Sequence, residues 1–108
     1  MISLKASEIA HLVGGTLHGE DVVVSANPVI DSRSATKGSL FIAIKGERVD
    51  GHDFISDAQS HGAVLTLAER TVASPHILVK NSIEALGLLA HEVRSRLSGL
   101  TVIGITGS

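Results

Sequence analysis

Three short segments of the sequence carry residue types suited to binding a phosphorylated ligand. Residues 30–33 include a serine and an arginine, which can supply one hydroxyl donor and one forked cation. Residues 46–52 form a charged, glycine-containing loop directly after an apolar run. Thr106, Gly107 and Ser108 follow the apolar run 101–105, and a buried strand leading into a glycine turn is typical of the start of a phosphate-binding loop. We therefore expect this chain to be the front portion of a larger enzyme, ending where a nucleotide site begins.

Each of the first two segments also has an ordinary structural interpretation. Asp31 and Ser32 are common turn-capping residues, in which case Arg33 is simply solvated. The loop 46–52 can be a solvated connection between two elements. Asp50 and His52 have the residue types of an acid–base pair, although a loop hydrogen bond or plain exposure is the commoner arrangement. The residues by themselves leave these alternatives open.

Composition excludes several functional classes. The chain has 108 residues, a formal net charge of -2 and only two aromatic residues, so neither a basic stripe nor a stacking platform favours nucleic acid as a partner. No cysteine is present, and the six histidines show no metal-ligand spacing, so we expect no metal site. No signal peptide or membrane-spanning run is recognisable, so we expect a soluble, cytoplasmic protein without membrane contact.

Alternating strands and helices must position these segments, which predicts an α/β fold. A helix around residues 9–13 should end at Gly14 and Gly15. Strand-like segments follow, and they lie at 16–18 and 22–24 (as a hairpin), 29–32, 40–44, 63–67 and 77–79. The run 40–44 is continuously apolar, as expected of a strand covered on both faces. Asp53 is expected to cap a helix that carries Phe54 inward.

The clearest helix begins at Asn81, since Glu84 three residues later completes a capping-box signature. Apolar residues then recur at helical spacing, and they are Ile83, Leu86, Ala90, Val93 and Leu97. We expect this helix to end at Ser98–Gly99 and a final strand to occupy 101–105. The predicted boundary between two domains lies near residue 80, giving a domain over 1–80 and the start of a second over 81–108.

Taken together, these segments resemble the N-terminal region of the Mur ligase family. The likeness rests on Asp-Ser-Arg at 31–33, Gly-Ser-Leu-Phe-Ile-Ala at 38–43, Lys-Gly-Glu-Arg-Val-Asp-Gly-His-Asp-Phe-Ile at 45–55, and Gly-Ile-Thr-Gly-Ser at 104–108. It covers essentially the whole chain in order. The resemblance implies a small mixed β-sheet flanked by helices, followed by the first helix and strand of a P-loop-type central domain.

The resemblance also implies an ATP-dependent, amide-forming ligase of peptidoglycan synthesis that uses Mg²⁺. The run 45–54 is more similar to the members that add D-alanyl-D-alanine to UDP-N-acetylmuramoyl-tripeptide than to those that add the third stem amino acid. Other regions of such an enzyme hold ATP and D-alanyl-D-alanine. This chain has no catalytic lysine of the ATP loop and no recognisable magnesium ligand, so we expect it to be inactive alone and to need no cofactor.

Site residues carried over from the family fall into two groups. Those matching contacts to the uridine diphosphate (UDP) end of the precursor are Ile30 and Ser32, with the adjoining Arg33, and the loop residues Glu47, Arg48 and Val49. Those matching the opening of the ATP loop are Thr106, Gly107 and Ser108. Since no aromatic residue is expected at the UDP site, aliphatic contacts and backbone hydrogen bonds should hold the base. The alternatives are a non-catalytic nucleotide-binding module and a docking domain that binds no ligand.

Overall fold

The computed structural model describes the backbone of residues 3–105 and the side chains of residues 3–92 and Arg94. Its elements, in chain order, are β1 (Leu4–Lys5), α1 (Ala6–Val13), β2 (Thr16–His18), β3 (Val23–Val24), β4 (Leu40–Ile42), α2 (Ile55–Ser60), β5 (Leu65–Ala68), β6 (His76–Leu78) and α3 (Ser82–Ile105). Two short 3₁₀ helices, Ser32–Ser34 and Gly51–Phe54, precede β4 and α2.

The main sheet has four strands in the order β2-β6-β5-β4. Strands β4, β5 and β6 run parallel, whereas β2 pairs antiparallel with β6 at one edge. Strands β1 and β3 form a separate antiparallel pair. The predicted small mixed sheet flanked by helices is therefore confirmed.

The middle of β4 is buried on both faces of the sheet, as its apolar run predicts. Leu40 and Ile42 pack into the core shared with α1 and the first turns of α3, while Phe41 packs into a second core that includes Ala58 of α2. These three β4 residues are at most 1% exposed. Full burial of each large apolar side chain contributes roughly 1.5–3 kcal/mol to the free energy of unfolding. Strand β4 is therefore a firm support for the loop 46–52 that follows it.

The predicted hairpin between residues 16–18 and 22–24 is wrong. Strand β2 pairs with β6, and β3 pairs with β1. The physical reason lies at Asp21, whose carboxylate accepts hydrogen bonds from the Ser7 backbone N–H at 2.8 Å and from the Ser7 hydroxyl at 3.0 Å. These bonds satisfy an unpaired donor in the first turn of α1 and draw the chain after Asp21 alongside β1.

Asp31 and Asp50, which lie in the candidate segments 30–33 and 46–52, cap short 3₁₀ helices rather than longer elements. The predicted strand over 29–32 reduces to a single bridge between Val29 and Phe41, because Asp31 starts the helix Ser32–Ser34. The predicted cap at Asp53 is also wrong. Asp50 takes that role by accepting the His52 N–H at 2.9 Å.

The face that α3 buries is displaced by one residue from the predicted stripe. Ser82, Ala85 and Leu89 are buried and Leu86 is half-buried, whereas Ile83 is 62% exposed. Ala90, another member of the predicted stripe, is also exposed. The helix is held in this rotation by its start, where the Ser82 N–H donates to the Glu69 carboxylate at 2.8 Å and the Glu84 N–H donates to the Asn81 side chain at 2.9 Å. The predicted cap at Asn81 is thus confirmed.

The far end of α3 also differs from the prediction. The helix continues to Ile105, so the predicted end at Ser98–Gly99 and the predicted strand over 101–105 are wrong. A strand must pair its N–H and C=O groups with a neighbour, whereas a helix pairs them internally. Among the described residues, no strand of the sheet is paired with 101–105. The domain boundary near residue 80 stays a prediction.

Candidate functional site

An open cleft of about 870 Å³ lies beyond the end of β4. It is bounded by the segment 30–33, the loop after β4 and the start of α2, and we call it the β4 cleft. Its lining residues are Ile30, Asp31, Ser32, Arg33, Phe41, Ile44, Gly46, Val49, Gly51, Phe54 and Asp57. Because ligands of open α/β sheets bind in crevices beyond strand ends, this cleft is the candidate site.

The structure brings four of the six residues predicted for the UDP end into this lining. Ile30, Ser32 and Arg33 line one side of the β4 cleft, and Val49 lines it from the loop. The other two predicted residues, 47 and 48, are exposed in the same loop but do not line the cleft. Their role in binding stays a prediction, as does that of the other four.

Asp31 and Arg33 form a closed pair at the rim of the cleft. The arginine donates from Nε to Oδ1 at 3.1 Å and from Nη2 to Oδ2 at 3.0 Å, while its backbone N–H donates to Oδ1 at 2.9 Å. These bonds hold the pKa of Asp31 below its usual value and raise that of Arg33. The Arg33 side chain is 81% exposed, so the pair is screened by water and its guanidinium nitrogen Nη1 is not used in it.

Ser32 is held by a residue from another element. Its hydroxyl donates to Oδ2 of Asp57 in α2 at 2.7 Å, and the serine is only 6% exposed. The sequence-based hypothesis that Ser32 caps its own turn is therefore incorrect. Asp57 was not predictable as a site residue, since its contact with Ser32 spans 25 positions and leaves no local signal in the sequence.

The loop after β4 is a narrow turn whose backbone is paired. The Gly46 N–H donates to the Val49 carbonyl at 2.8 Å, and the Gly51 N–H donates to the Ile44 carbonyl at 2.9 Å. Lys45 and Asp50 form an antiparallel bridge between these bonds. The paired backbone presents Val49, which is 56% exposed, on the wall of the β4 cleft.

Asp50 and His52 anchor this loop to the end of β5. Oδ1 of Asp50 lies 2.6 Å from Nδ1 of His52, and Nε2 of His52 accepts the backbone N–H of Glu69 at 2.9 Å. Accepting at Nε2 places the ring proton on Nδ1, so the histidine donates to the carboxylate. These bonds to His52, joined by one from Arg70 to Oδ2, hold the pKa of Asp50 well below its usual range. With a side chain only 2% exposed, His52 is a structural link, as expected for a loop hydrogen bond.

The apolar wall of the cleft includes aromatic side chains, so the expectation of no aromatic residue at this site is wrong. Phe54 is 43% exposed and lines the cleft instead of packing inward, and Phe41 lines its floor. The short 3₁₀ helix started by Asp50 turns Phe54 outward, whereas a helix capped at Asp53 would begin later. The position of Phe54, just after a segment already singled out, was the signal that could have identified it.

The remaining site predictions concern ATP and metal. Thr106, Gly107 and Ser108 lie outside the described residues. Within residues 3–105, His, Asp and Glu side chains nowhere converge in groups of three or more that could hold a metal ion. Across the same residues, the helices are too short or too polar to cross a membrane.

Comparison with known proteins places these segments in context. A family model described as "Mur ligase family, catalytic domain" matches residues 27–94, which include all the lining residues of the β4 cleft. The chain is 38% identical over 110 residues to the UDP-N-acetylmuramoyl-tripeptide--D-alanyl-D-alanine ligase of Escherichia coli, covering 100% of this chain and 24% of that protein. It is 48% identical over 82 residues to the UDP-N-acetylmuramoyl-L-alanyl-D-glutamate--2,6-diaminopimelate ligase of Aquifex aeolicus, covering 73% of this chain and 17% of that protein.

A solved structure shows the same architecture. MurF from Acinetobacter baumannii superimposes with a TM-score of 0.72 at 26% identity, over 81% of this chain and 20% of that one. The chain thus spans about a quarter or less of the length of the relatives that it matches.

Proposed function

Since this chain belongs to the Mur ligase family, we propose that its β4 cleft binds the UDP end of UDP-N-acetylmuramoyl-tripeptide for an ATP-dependent ligase that adds D-alanyl-D-alanine. One observation carries this proposal. The two segments that resemble UDP-contacting segments of the family, 30–33 and 47–49, are separated in sequence by β4, yet both contribute residues to the lining of one cleft. Its exposed apolar side chains suit the base of a nucleotide.

The full activity is proposed for a polypeptide that also carries the regions present in the rest of the relatives. ATP, Mg²⁺ and D-alanyl-D-alanine would bind in those regions, as the resemblance to the family implies. We place the reaction in peptidoglycan precursor synthesis in the cytoplasm. By itself, the chain is expected to bind the precursor without ligating it.

A second candidate is the ligase that adds the third stem amino acid. It is favoured by the 48% identity to the Aquifex aeolicus diaminopimelate ligase. The first candidate is favoured by the alignment to the Escherichia coli D-alanyl-D-alanine ligase over 100% of this chain and by the likeness to MurF. Because the UDP end is common to both precursors, the β4 cleft itself does not distinguish them.

A titration of the chain with UDP-N-acetylmuramoyl-tripeptide, followed by protein NMR, tests the shared part of the proposal. We expect amide shifts at Ser32, Arg33 and Val49, and none from ATP at the same concentration. The absence of shifts at millimolar precursor would contradict the proposal and favour a docking domain. Shifts from ATP at these residues would favour a general nucleotide-binding module.

Exchange of segments separates the two ligases. The chain would replace the matching segment of the Escherichia coli D-alanyl-D-alanine ligase and, in parallel, of the Aquifex aeolicus diaminopimelate ligase. We expect product formation, measured by liquid chromatography, to survive better in the first chimera. Better survival in the second would favour the alternative function.

A further inference from the structure

The Ser32 hydroxyl has a fixed direction in the β4 cleft. A hydroxyl carries one proton, and that of Ser32 is donated to Oδ2 of Asp57 at 2.7 Å. A carboxylate can only accept, so the roles in this bond cannot be exchanged. The other oxygen of Asp57 lies 3.8 Å from Nδ1 of His61, which is too long for a hydrogen bond, so Ser32 is its close side-chain partner. What Ser32 offers to a ligand is therefore its lone pairs.

Charge around this serine opposes a phosphate at the same place. Asp57 and Asp31 both line the cleft as carboxylates, and the guanidinium of Arg33 is already paired through two of its nitrogens with Asp31. A phosphate beside Ser32 would face the Asp57 carboxylate and would receive no hydroxyl proton. Like charges in a partly enclosed site repel more strongly than they do in water. Ser32 and Arg33 thus do not form the phosphate-donor pair that their types indicate in the sequence.

A nucleoside provides what this wall of the cleft lacks. In uridine the hydrogen-bond donors are an imide N–H on the base and hydroxyls on the ribose, and both are neutral. The exposed side chains of Ile30, Val49 and Phe54 line the same cleft and give the base an apolar surface. Ser32, at 6% exposure, contributes little area to the cleft lining, but with its proton committed to Asp57 it offers an acceptor.

We propose that Asp57 is a positioning residue that holds the Ser32 hydroxyl as an acceptor, so that this wall recognises a donor of the neutral nucleoside and leaves the diphosphate to the loop and the outer rim. The inference rests on the proposed function, which supplies the uridine ligand. It adds Asp57 as the residue that keeps the Ser32 hydroxyl an acceptor, and it adds the nucleoside as the part of the ligand that Ser32 contacts.

The test compares uridine and UDP binding to the whole chain by NMR titration. The variants are Ser32→Ala and Asp57→Ala, with Asp53→Ala as the matched control, because its side chain is 72% exposed and lies outside the cleft lining. Loss of one neutral hydrogen bond should weaken uridine binding about fivefold in both cleft variants. Asp57→Ala also frees the proton of the Ser32 hydroxyl and removes a negative charge from the cleft, and both changes should favour a phosphate. The ratio of the uridine Kd to the UDP Kd should therefore rise about fivefold or more. The Asp53→Ala control should match wild type in the uridine Kd and in the ratio of the uridine Kd to the UDP Kd.

Asp57→Asn keeps a carbonyl acceptor for Ser32 while removing the charge, and it serves as the rescue variant and as the replacement if Asp57→Ala does not fold. Its uridine affinity should stay within about twofold of wild type, with a raised ratio of the uridine Kd to the UDP Kd. A merely structural role of Asp57 would instead change both ligands by the same factor in every variant and would overturn the inference.

Ligand analogues identify the donor. Weakened binding of 3-methyluridine assigns the imide N–H, and weakened binding of 2′,3′-dideoxyuridine assigns a ribose hydroxyl. Either result supports the inference, whereas equal binding of both analogues and uridine overturns it. A Ser32→Ala variant that loses UDP but not uridine also overturns it while leaving the proposed function standing. If wild type binds neither UDP nor the precursor, the proposed function fails and this inference fails with it.

Discussion

Substituting Gly51 tests the packing that supports the β4 cleft. A Cβ at Gly51 would lie 2.7 Å from the backbone nitrogen of Ile44, 3.0 Å from the Ile44 carbonyl oxygen and 3.1 Å from Cα of Ala43. Backbone atoms cannot rotate away as a side chain can, so Ile44 would have to move by about 0.7 Å to restore an ordinary 3.4 Å contact. Ala43, just after β4, is fully buried, which limits that movement.

Overpacking of this kind typically costs about 1–3 kcal/mol in the free energy of unfolding. For a domain of this size, each kcal/mol lowers Tm by roughly 4–8 °C. The same shift should also weaken the hydrogen bond from Gly51 N–H to the Ile44 carbonyl, which is 2.9 Å long, and so loosen the wall that carries Val49. We therefore expect Gly51→Ala to lower both Tm and the affinity for UDP.

The matched control is Gly87→Ala, which places the same methyl group on α3 with nothing within 4 Å. A helical glycine replaced by alanine should gain about 0.5–1 kcal/mol. Urea unfolding of both variants and of wild type, compared at equal m-value, measures the change in the free energy of unfolding. A Gly51→Ala variant as stable as wild type would refute the close approach between Gly51 and the exit of β4.

Four further substitutions test other parts of the structure. In urea unfolding, Leu89→Ala should lower the free energy of unfolding by about 2–5 kcal/mol because Leu89 is fully buried. Ile83→Ala should be nearly neutral because Ile83 is exposed. The reverse order would support the α3 face predicted from the sequence. Asp50→Asn should flatten the loss of Tm between about pH 5 and pH 2. The pKa of Asp50 is depressed in the folded chain, so its stabilising contribution is complete above about pH 4 and is lost as pH falls through the folded pKa; an unchanged pH profile would contradict this. Phe54→Ala should weaken uridine binding by NMR titration with little change in Tm, since Phe54 is 43% exposed; unchanged binding would remove Phe54 from the site.

The fold class was predictable because it depends on patterns that are local in sequence. The continuous apolar run 40–44 indicated a strand covered on both faces, and Gly14 indicated a helix end. The structure shows β4 buried on both sides and Gly14 in the left-handed conformation at φ 66°. Strand pairing was not predictable in the same way. The bonds from Ser7 to Asp21 that displace β3 from β2 join residues 14 positions apart, and a hairpin pattern cannot reveal them.

The rotation of α3 shows the same limit in a helix. Apolar spacing allows two adjacent faces, one through Ile83 and Ala90 and one through Ala85 and Leu89. The choice is made by the Ser82 N–H, which donates to Glu69 at the end of β5. Such a contact between two elements is decided only when the sheet is assembled.

The candidate site was predictable in its segments but not in its chemistry. Residues 30–33 and 46–52 were singled out from the sequence, and residues of both segments line the β4 cleft. Residue types suggested that Ser32 and Arg33 would donate to phosphate. In the structure their donors are largely committed within the chain, Ser32 to Asp57 and Arg33 to Asp31. A residue type therefore indicates what a side chain can donate, while its neighbours decide whether the donor remains available.

Under the proposed function, that commitment constrains how the β4 cleft would bind a nucleotide. Asp31 and Asp57, which line the cleft, accept hydrogen bonds from Arg33 and Ser32, which line it too. A bound diphosphate must then compete with Asp31 for the guanidinium of Arg33, use the nitrogen Nη1 that this pair leaves out, or lie against the exposed turn at residues 47 and 48. Each of these contacts is solvent-exposed and therefore contributes little free energy. The affinity of the chain for UDP should consequently come mainly from the nucleoside, with uridine binding nearly as well as UDP and with a weak dependence on salt.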